Sequence, residues 1–162
     1  MTAEMRYLDD FVAGQVYELG SHTVSAEEII DFAIQWDPQS FHTDPTEASH
    51  SAYGGLIASG WHTASIFMRL YVTSLLADSA CVGSPGVDDL AWLAPVRPDD
   101  TLSGRVTIEE VEASKTHPGR GRIRPRCELR NQDGAVVFTM VLHTLMGART
   151  DEHAPPIDAG RK

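Results

Sequence analysis

The sequence predicts an α+β domain in which an antiparallel sheet wraps around one long central helix. Three observations predict it. The longest apolar stretch, Leu56 to Ala77, is interrupted by Ser59, Gly60, His62, Arg69 and several hydroxyls, so it suits a helix buried in protein better than one in lipid. From Val87 onward the pattern changes to β-branched or alternating segments separated by turn signals. A chain of 162 residues builds one substantial core and is short for two domains. A sheet that must cover a single apolar helix curls around it.

The elements follow in order. Gln15 to Val24 reads as a first strand. Ser25-Ala26-Glu27-Glu28 then opens a helix, with Ser25 as N-cap and Glu28 at N3 of a capping box. Pro38 disfavours α geometry in the residue before it, so this helix stops at Trp36 or Asp37. No periodicity runs from Pro38 to Thr43. Asp44-Pro45-Thr46-Glu47 supplies an N-cap, a proline at N1 and a second capping box for a short helix ending near Tyr53-Gly54-Gly55. The long helix is expected to take about 20 residues, roughly 30 Å if continuous. Strands are expected over Val87 to Leu93, Thr101 to Ser114, Arg122 to Asn131 and Ala135 to Met146, with Asp133-Gly134 in a hairpin turn. Residues 1–147 form the domain, and 148–162 a polar tail expected to fray.

Composition narrows the partners. A formal charge of −10 repels a phosphate backbone, which excludes general nucleic-acid binding without a strong local basic patch. Arg120, Arg122, Arg124, Arg126 and Arg130 fall on even positions and therefore on one face of a strand. A solvated outer sheet face is the favoured reading, a landing site for the phosphates of a ligand the alternative, and Pro125 signals an edge or a bulge. Cys81 and Cys127 read as buried free thiols of a reducing compartment. The N-terminus carries Glu4, Asp9 and Asp10 and no apolar segment, so no secretory signal is expected and the location is read as cytoplasmic. The remaining histidines lack metal-ligand spacing, and no metal site is expected. His62 and Ser65 lie three apart on the long helix without a nucleophile elbow, which points to packing.

The stretch Asp37-Pro38-Gln39-Ser40-Phe41-His42-Thr43-Asp44 places a carboxylate, an imidazole and a second carboxylate in an irregular segment between helices. Asp44 is read as an N-cap only. A water held between Asp37 and His42 offers its proton to one while the other handles the second, the requirement of acid–base catalysis. Ten residues on, Tyr53-Gly54-Gly55-Leu56-Ile57-Ala58-Ser59-Gly60 leads into the long helix.

Together these two segments resemble the hydratase-2 motif of the MaoC-like dehydratase family. The resemblance implies a hot-dog fold, a homodimer or dimer-based oligomer with active sites where two subunits meet, and reversible hydration of a 2-enoyl-CoA to an (R)-3-hydroxyacyl-CoA. By position, Asp37 and His42 match the catalytic pair. Gly60 matches the glycine whose backbone N–H binds the thioester carbonyl oxygen, and Ser59 is placed with it as substrate-binding. CoA enters as part of the acyl-CoA substrate, with no separate cofactor. The chain departs from the family pattern in having Gln39-Ser40 where Asn-Pro is common, Ser59 where many members have His, and Met68 where some place a Ser. The residues leave open which of Asp37 and His42 handles the α-proton. Two rival functions share the scaffold: an acyl-CoA thioesterase and a non-catalytic acyl-CoA-binding subunit.

Overall fold

A computed structural model describes residues 4–149 of the chain. The ordered elements are β1 (Val16–Thr23), α1 (Ala26–Trp36), α2 (Ser40–Thr43), α3 (Pro45–His50), α4 (Gly60–Tyr71), β2 (Cys81–Gly83), β3 (Val87–Trp92), β4 (Thr101–Ala113), β5 (Arg120–Arg130), β6 (Val136–Leu142) and β7 (Thr144–Gly147). All the strand pairings are antiparallel, in the order β1-β4-β5-β6-β3, with β7 pairing β2 and β5. The sheet curls around α4 in the hot-dog arrangement.

Alternation builds the wrapped face. On β4, Leu102, Val106 and Ile108 point inward, and on β5 Ile123, Cys127 and Leu129 do the same. Ile66, Phe67, Leu70 and Tyr71 of α4 meet them, and Phe67 lies between the rings of Tyr71 and Phe138 at 5.7 and 5.9 Å. These aromatic contacts sit in the spacing at which ring pairs attract beyond simple area burial. Burial pushes the Cys127 thiol far above its ordinary range, so it packs as a small apolar group. Both cysteines are free.

Several expectations are corrected in detail. The long helix begins at Gly60 instead of Leu56, because Ala58 N–H bonds the Val96 carbonyl and Ile57 N–H that of Phe41, which holds Leu56 to Ser59 out of helical geometry. Ser59 then caps the helix by accepting from Trp61 N–H. Past Tyr71 the chain widens into a π-helical segment, Val72–Leu76, next to the hydroxyl of Ser74, which leaves the helix to donate to the Leu19 carbonyl. The last expected strand is two: β6 pairs one half of β5 and β7 the other, with the break at His143. The three-residue β2 was not expected, since it has too few residues to show an alternation. Residues Ser40–Thr43 form one helical turn where no periodicity was visible.

Strand β5 is interior, flanked by β4 and by β6 with β7, so Pro125 marks no edge; it sits opposite Ile108 at a register shift in β4. Its arginines occupy the outer face and meet carboxylates: Arg122 with Glu112 at 2.9 Å, Arg126 with Glu109 at 2.6 Å, Arg130 with Glu128 at 2.9 Å and Arg124 with Asp88 at 3.5 Å. This is a charge-paired sheet surface, in keeping with the favoured reading of the arginine face. At the start of the expected tail, Ala148 N–H bonds Gly119 and Arg149 pairs with Asp10, so these two residues are tied down; the rest of the expected tail, 150–162, lies outside the described residues. Among the described residues no helix is long and apolar enough to cross a membrane.

Gly121 lies where the N-terminal turn crosses β5. A Cβ there would stand 2.4 Å from the Glu112 carbonyl oxygen and 2.4 Å from Leu8 Cδ2. Overpacking a fixed backbone contact costs about 1–3 kcal/mol. Gly121→Ala is therefore expected to lower the urea unfolding midpoint with an unchanged slope. Phe67→Ala, which empties a fully buried ring site, is expected to cost about 3–5 kcal/mol in the same measurement.

Candidate active site

Two helix ends meet at the site. Asp37 is the C-cap of α1, its N–H bonded to the Ala33 carbonyl and its backbone out of helical geometry at φ −154°, ψ 69°. Pro38 turns the chain away, as its restriction of the preceding residue requires. Ser59 is the N-cap of α4. The Ser59 hydroxyl donates to Asp37 Oδ2 at 2.7 Å, and Gln39 Nε2 donates to Oδ1 at 2.8 Å, so both carboxylate oxygens are held.

His42 lies in α2, only 4 % exposed, with the Phe41 ring edge-on at 4.4 Å. Its Nδ1 is 2.7 Å from the Ile57 carbonyl oxygen. A carbonyl only accepts, so Nδ1 carries the hydrogen and, in the neutral ring, Nε2 presents a lone pair. That Nε2 faces Asp37 Oδ2 at 3.4 Å. The two facing atoms are both acceptors in this state, and a small donor placed beside them satisfies both.

Electrostatics favour an ionised Asp37. Burial, the largest single influence, pushes its carboxyl upward, but the hydrogen bonds from Ser59 and Gln39 and the neighbouring His42 together bring it below the usual carboxylate value. Asp37 is an anion throughout the neutral range.

A cleft of about 540 Å³ opens over the pair. Asp37, Gln39, His42, Gly60 and Thr63 supply its polar groups, and Tyr53, Trp61, Trp92 and Leu93 much of its apolar wall. Gly60 is the first residue of α4, where an N–H has no partner within the helix. The Trp92 indole packs against it: Nε1 donates to the Gly60 carbonyl at 2.8 Å, and a Cβ on residue 60 would fall 2.4 Å from the ring. A side chain at residue 60 would collide with the indole that holds this peptide.

The expected residues do not all land alike. Asp37, His42 and Gly60 converge on one cleft. Ser59 is fully buried and its hydroxyl is directed at Asp37, so it touches the carboxylate and does not line the cleft. Asp44 caps α3 through Thr46 and Glu47 N–H, as read. Met68 is partly exposed on α4 and is not part of the cleft wall; Thr63 is. Gln39, Trp92 and the Ile57 carbonyl were not anticipated as site members. Gln39 carried a weak signal, two residues from Asp37; Trp92 and Ile57 reach the site only through the fold.

The chain matches the family model described as a MaoC like domain over residues 10–123. It is 31% identical over 112 residues to the uncharacterized protein YdeM of Bacillus subtilis (strain 168), covering 69% of this chain and 79% of that one. Among solved structures it is similar to the MaoC-like dehydratase from Rhodospirillum rubrum, with TM-score 0.82 and 37% identity over 89% of this chain and 98% of the other. It shares its fold with the R-hydratase PhaJ1 from Pseudomonas aeruginosa, with TM-score 0.70 and 21% identity over 95% and 96% of the two chains. The chain belongs to the MaoC-like domain family.

Proposed function

We propose that the protein is a hydro-lyase that reversibly hydrates a 2-enoyl-CoA to an (R)-3-hydroxyacyl-CoA. The observation that carries this reading is the opposition of His42 Nε2 and Asp37 Oδ2 at 3.4 Å, with the ring tautomer set by the Ile57 carbonyl. Water, with two hydrogens, is the donor such a pair orients best. Its remaining lone pairs then face whatever occupies the cleft.

The chemistry follows from that placement. The thioester carbonyl oxygen accepts from Gly60 N–H at the positive end of α4. One member of the pair takes a proton from water, the O–H bond breaks, and the new C–O bond forms at the β-carbon. The π electrons move toward the carbonyl, and the resulting enolate oxygen is stabilised by the same N–H. The pair then returns the proton to the α-carbon. Where the His42 ring is neutral, neither facing atom holds a proton at the start, and the proton gained by the α-carbon is then the one water lost. Hydration transfers no electrons, so the reaction needs no redox carrier, and CoA takes part only as the handle of the substrate. In this reading Ser59 and Gln39 act on the substrate through Asp37.

A homodimer completes the proposal. Strand β3 is the last in the sheet order, and Val87, Trp92 and Leu93 on or beside it are 44, 44 and 58 % exposed, with Trp61 at 58 % on the cleft rim. An apolar edge next to a ligand cleft is a surface that a second copy covers. Two free thiols, as a reducing compartment would leave them, support a cytoplasmic location.

Loss of the enoyl-thioester absorbance band tests the reaction with crotonyl-CoA and longer or branched enoyl-CoAs. The expected result is decay of the band without thiol release. Thiol release would identify a thioesterase, and binding without either change a non-catalytic subunit. Asp37→Asn and His42→Ala are each expected to lose at least about a hundredfold in rate while remaining folded. Ser59→Ala removes a donor to the Asp37 anion while burial persists, so the carboxyl pKa rises. The acid limb of kcat/KM, which belongs to the pair, is then expected to move to higher pH; an unmoved limb would remove Asp37 from the titrating unit.

A further inference from the structure

Behind the cleft, a second polar cluster is built from β1, α1 and α4. Glu28 Oε1 lies 2.9 Å from His22 Nε2 and 3.1 Å from His62 Nε2. His62 is 4 % exposed and its ring stacks on Phe32 at 4.8 Å, nearly parallel at 11°. Its Nδ1 is buried with no hydrogen-bond partner. Leaving a buried polar atom unsatisfied is costly, so the ring is held in place by what its other side gains. Glu28 is also diverted from local duty. Its backbone N–H completes the Ser25 cap at 3.0 Å, yet its carboxylate serves two imidazoles instead of closing the capping box.

The cluster and the catalytic carboxylate join the same two helices. At one point α1 meets α4 through Glu28 and Phe32 on His62; at the other, through Asp37 on Ser59. His62 is less than one helical turn beyond Ser59. Two points of attachment fix the relative rotation and slide of a helix pair, whereas one leaves a pivot. We propose that Glu28 and His62 are positioning residues that hold α1 in register with α4, and so keep the Asp37 carboxylate on the Ser59 hydroxyl and opposite His42.

The charged groups around the cluster are His22 from β1, Arg69 from α4, which lines the same small cleft, and Glu27 and Asp31 of α1, which flank Glu28 and His62 on the other side. Burial favours a neutral His62, with the Glu28 hydrogen bond opposing. Burial pushes Glu28 upward, and the two imidazoles more than offset it. The pairing of an anionic Glu28 with Nε2–H donors is therefore the state at neutral pH.

The test reads the Asp37 carboxyl directly, by carbon-detected NMR titration of wild type, Glu28→Ala and Glu28→Asp. Glu28 is roughly 13 Å from Asp37 along the helix. Removing its negative charge alone would lower the Asp37 midpoint. Loosening the Ser59 hydrogen bond raises it, so the sign separates the two effects. Glu28→Asp keeps the charge and loses only reach, and it decides the matter if Glu28→Ala does not fold. The expected result is a higher Asp37 midpoint in every folded variant; an unchanged or lower midpoint would overturn the proposal. The catalytic consequence rests on the hydratase reading, while the titration does not. Given hydratase turnover in the wild type, Glu28→Ala is expected to lower kcat by about ten- to a hundredfold with KM nearly unchanged, as small misplacement of a reacting group does. A fall in thermal stability with kcat intact would also overturn it.

Discussion

The hydrogen bond from Ser59 to Asp37 joins the exit of α1 to the start of α4, and the cleft is organised around that joint. A carboxylate at a helix C-terminus is poorly placed, because the carbonyl end of the helix carries partial negative charge. The arrangement offsets this by bringing the same carboxylate to the N-cap of a second helix, where a hydroxyl and the positive helix end favour the anion. Ser59 thus acts in two directions: its oxygen accepts from Trp61 N–H to start α4, and its hydrogen goes to Asp37. The non-helical run from Leu56 to Ser59, held to Phe41 and to Val96 by backbone bonds, positions that serine and also supplies the Ile57 carbonyl that sets the His42 tautomer. One short segment therefore orients both members of the pair.

The sheet makes this joint stable. Alternation on β4 and β5 gives α4 an apolar wall, and the outer face pairs its arginines with carboxylates, across strands at Arg122–Glu112 and Arg126–Glu109 and within β5 at Arg130–Glu128. Those exposed pairs contribute little to stability. Under the proposed reading, the helix N-terminus at Gly60 is the part of the cleft where the thioester oxygen is recognised. The Trp92 indole connects the two layers, since β3 delivers it against Gly60, whose carbonyl accepts from its Nε1 and whose lack of a side chain leaves room for the ring.

Much of this was legible from residues. Caps announce themselves locally, and Ser25 and Asp44 begin α1 and α3 as read. Period-two alternation located β4 and β5, where one face is buried and the other is not, while β-branched runs bounded by turn signals located β1, β3 and the β6–β7 region. Asp37, His42 and Gly60 were legible because they lie within two short segments whose combination is specific. The misses are long-range. Nothing near Trp92 indicates that it packs on Gly60, and the capping-box pattern of Ser25 to Glu28 conceals a carboxylate directed at His22 and His62. Ser59 reads as a substrate contact by position, yet its partner is a carboxylate that the fold brings from another helix. The start of α4 was misplaced because Leu56 to Ala58 are good helix formers whose amides find carbonyls elsewhere.

In the proposed reaction Asp37 and His42, facing each other at 3.4 Å, orient the attacking water and return its proton from the same place, which fixes the geometry of addition. Hydration of crotonyl-CoA in D2O, with the configuration of the product read by NMR, measures that geometry directly. Syn addition is expected, giving a single diastereomer with deuterium at C2 and an (R) hydroxyl at C3. Anti addition, or a mixture at C2 with one configuration at C3, would contradict it, because the proton and the oxygen would then have come from different faces.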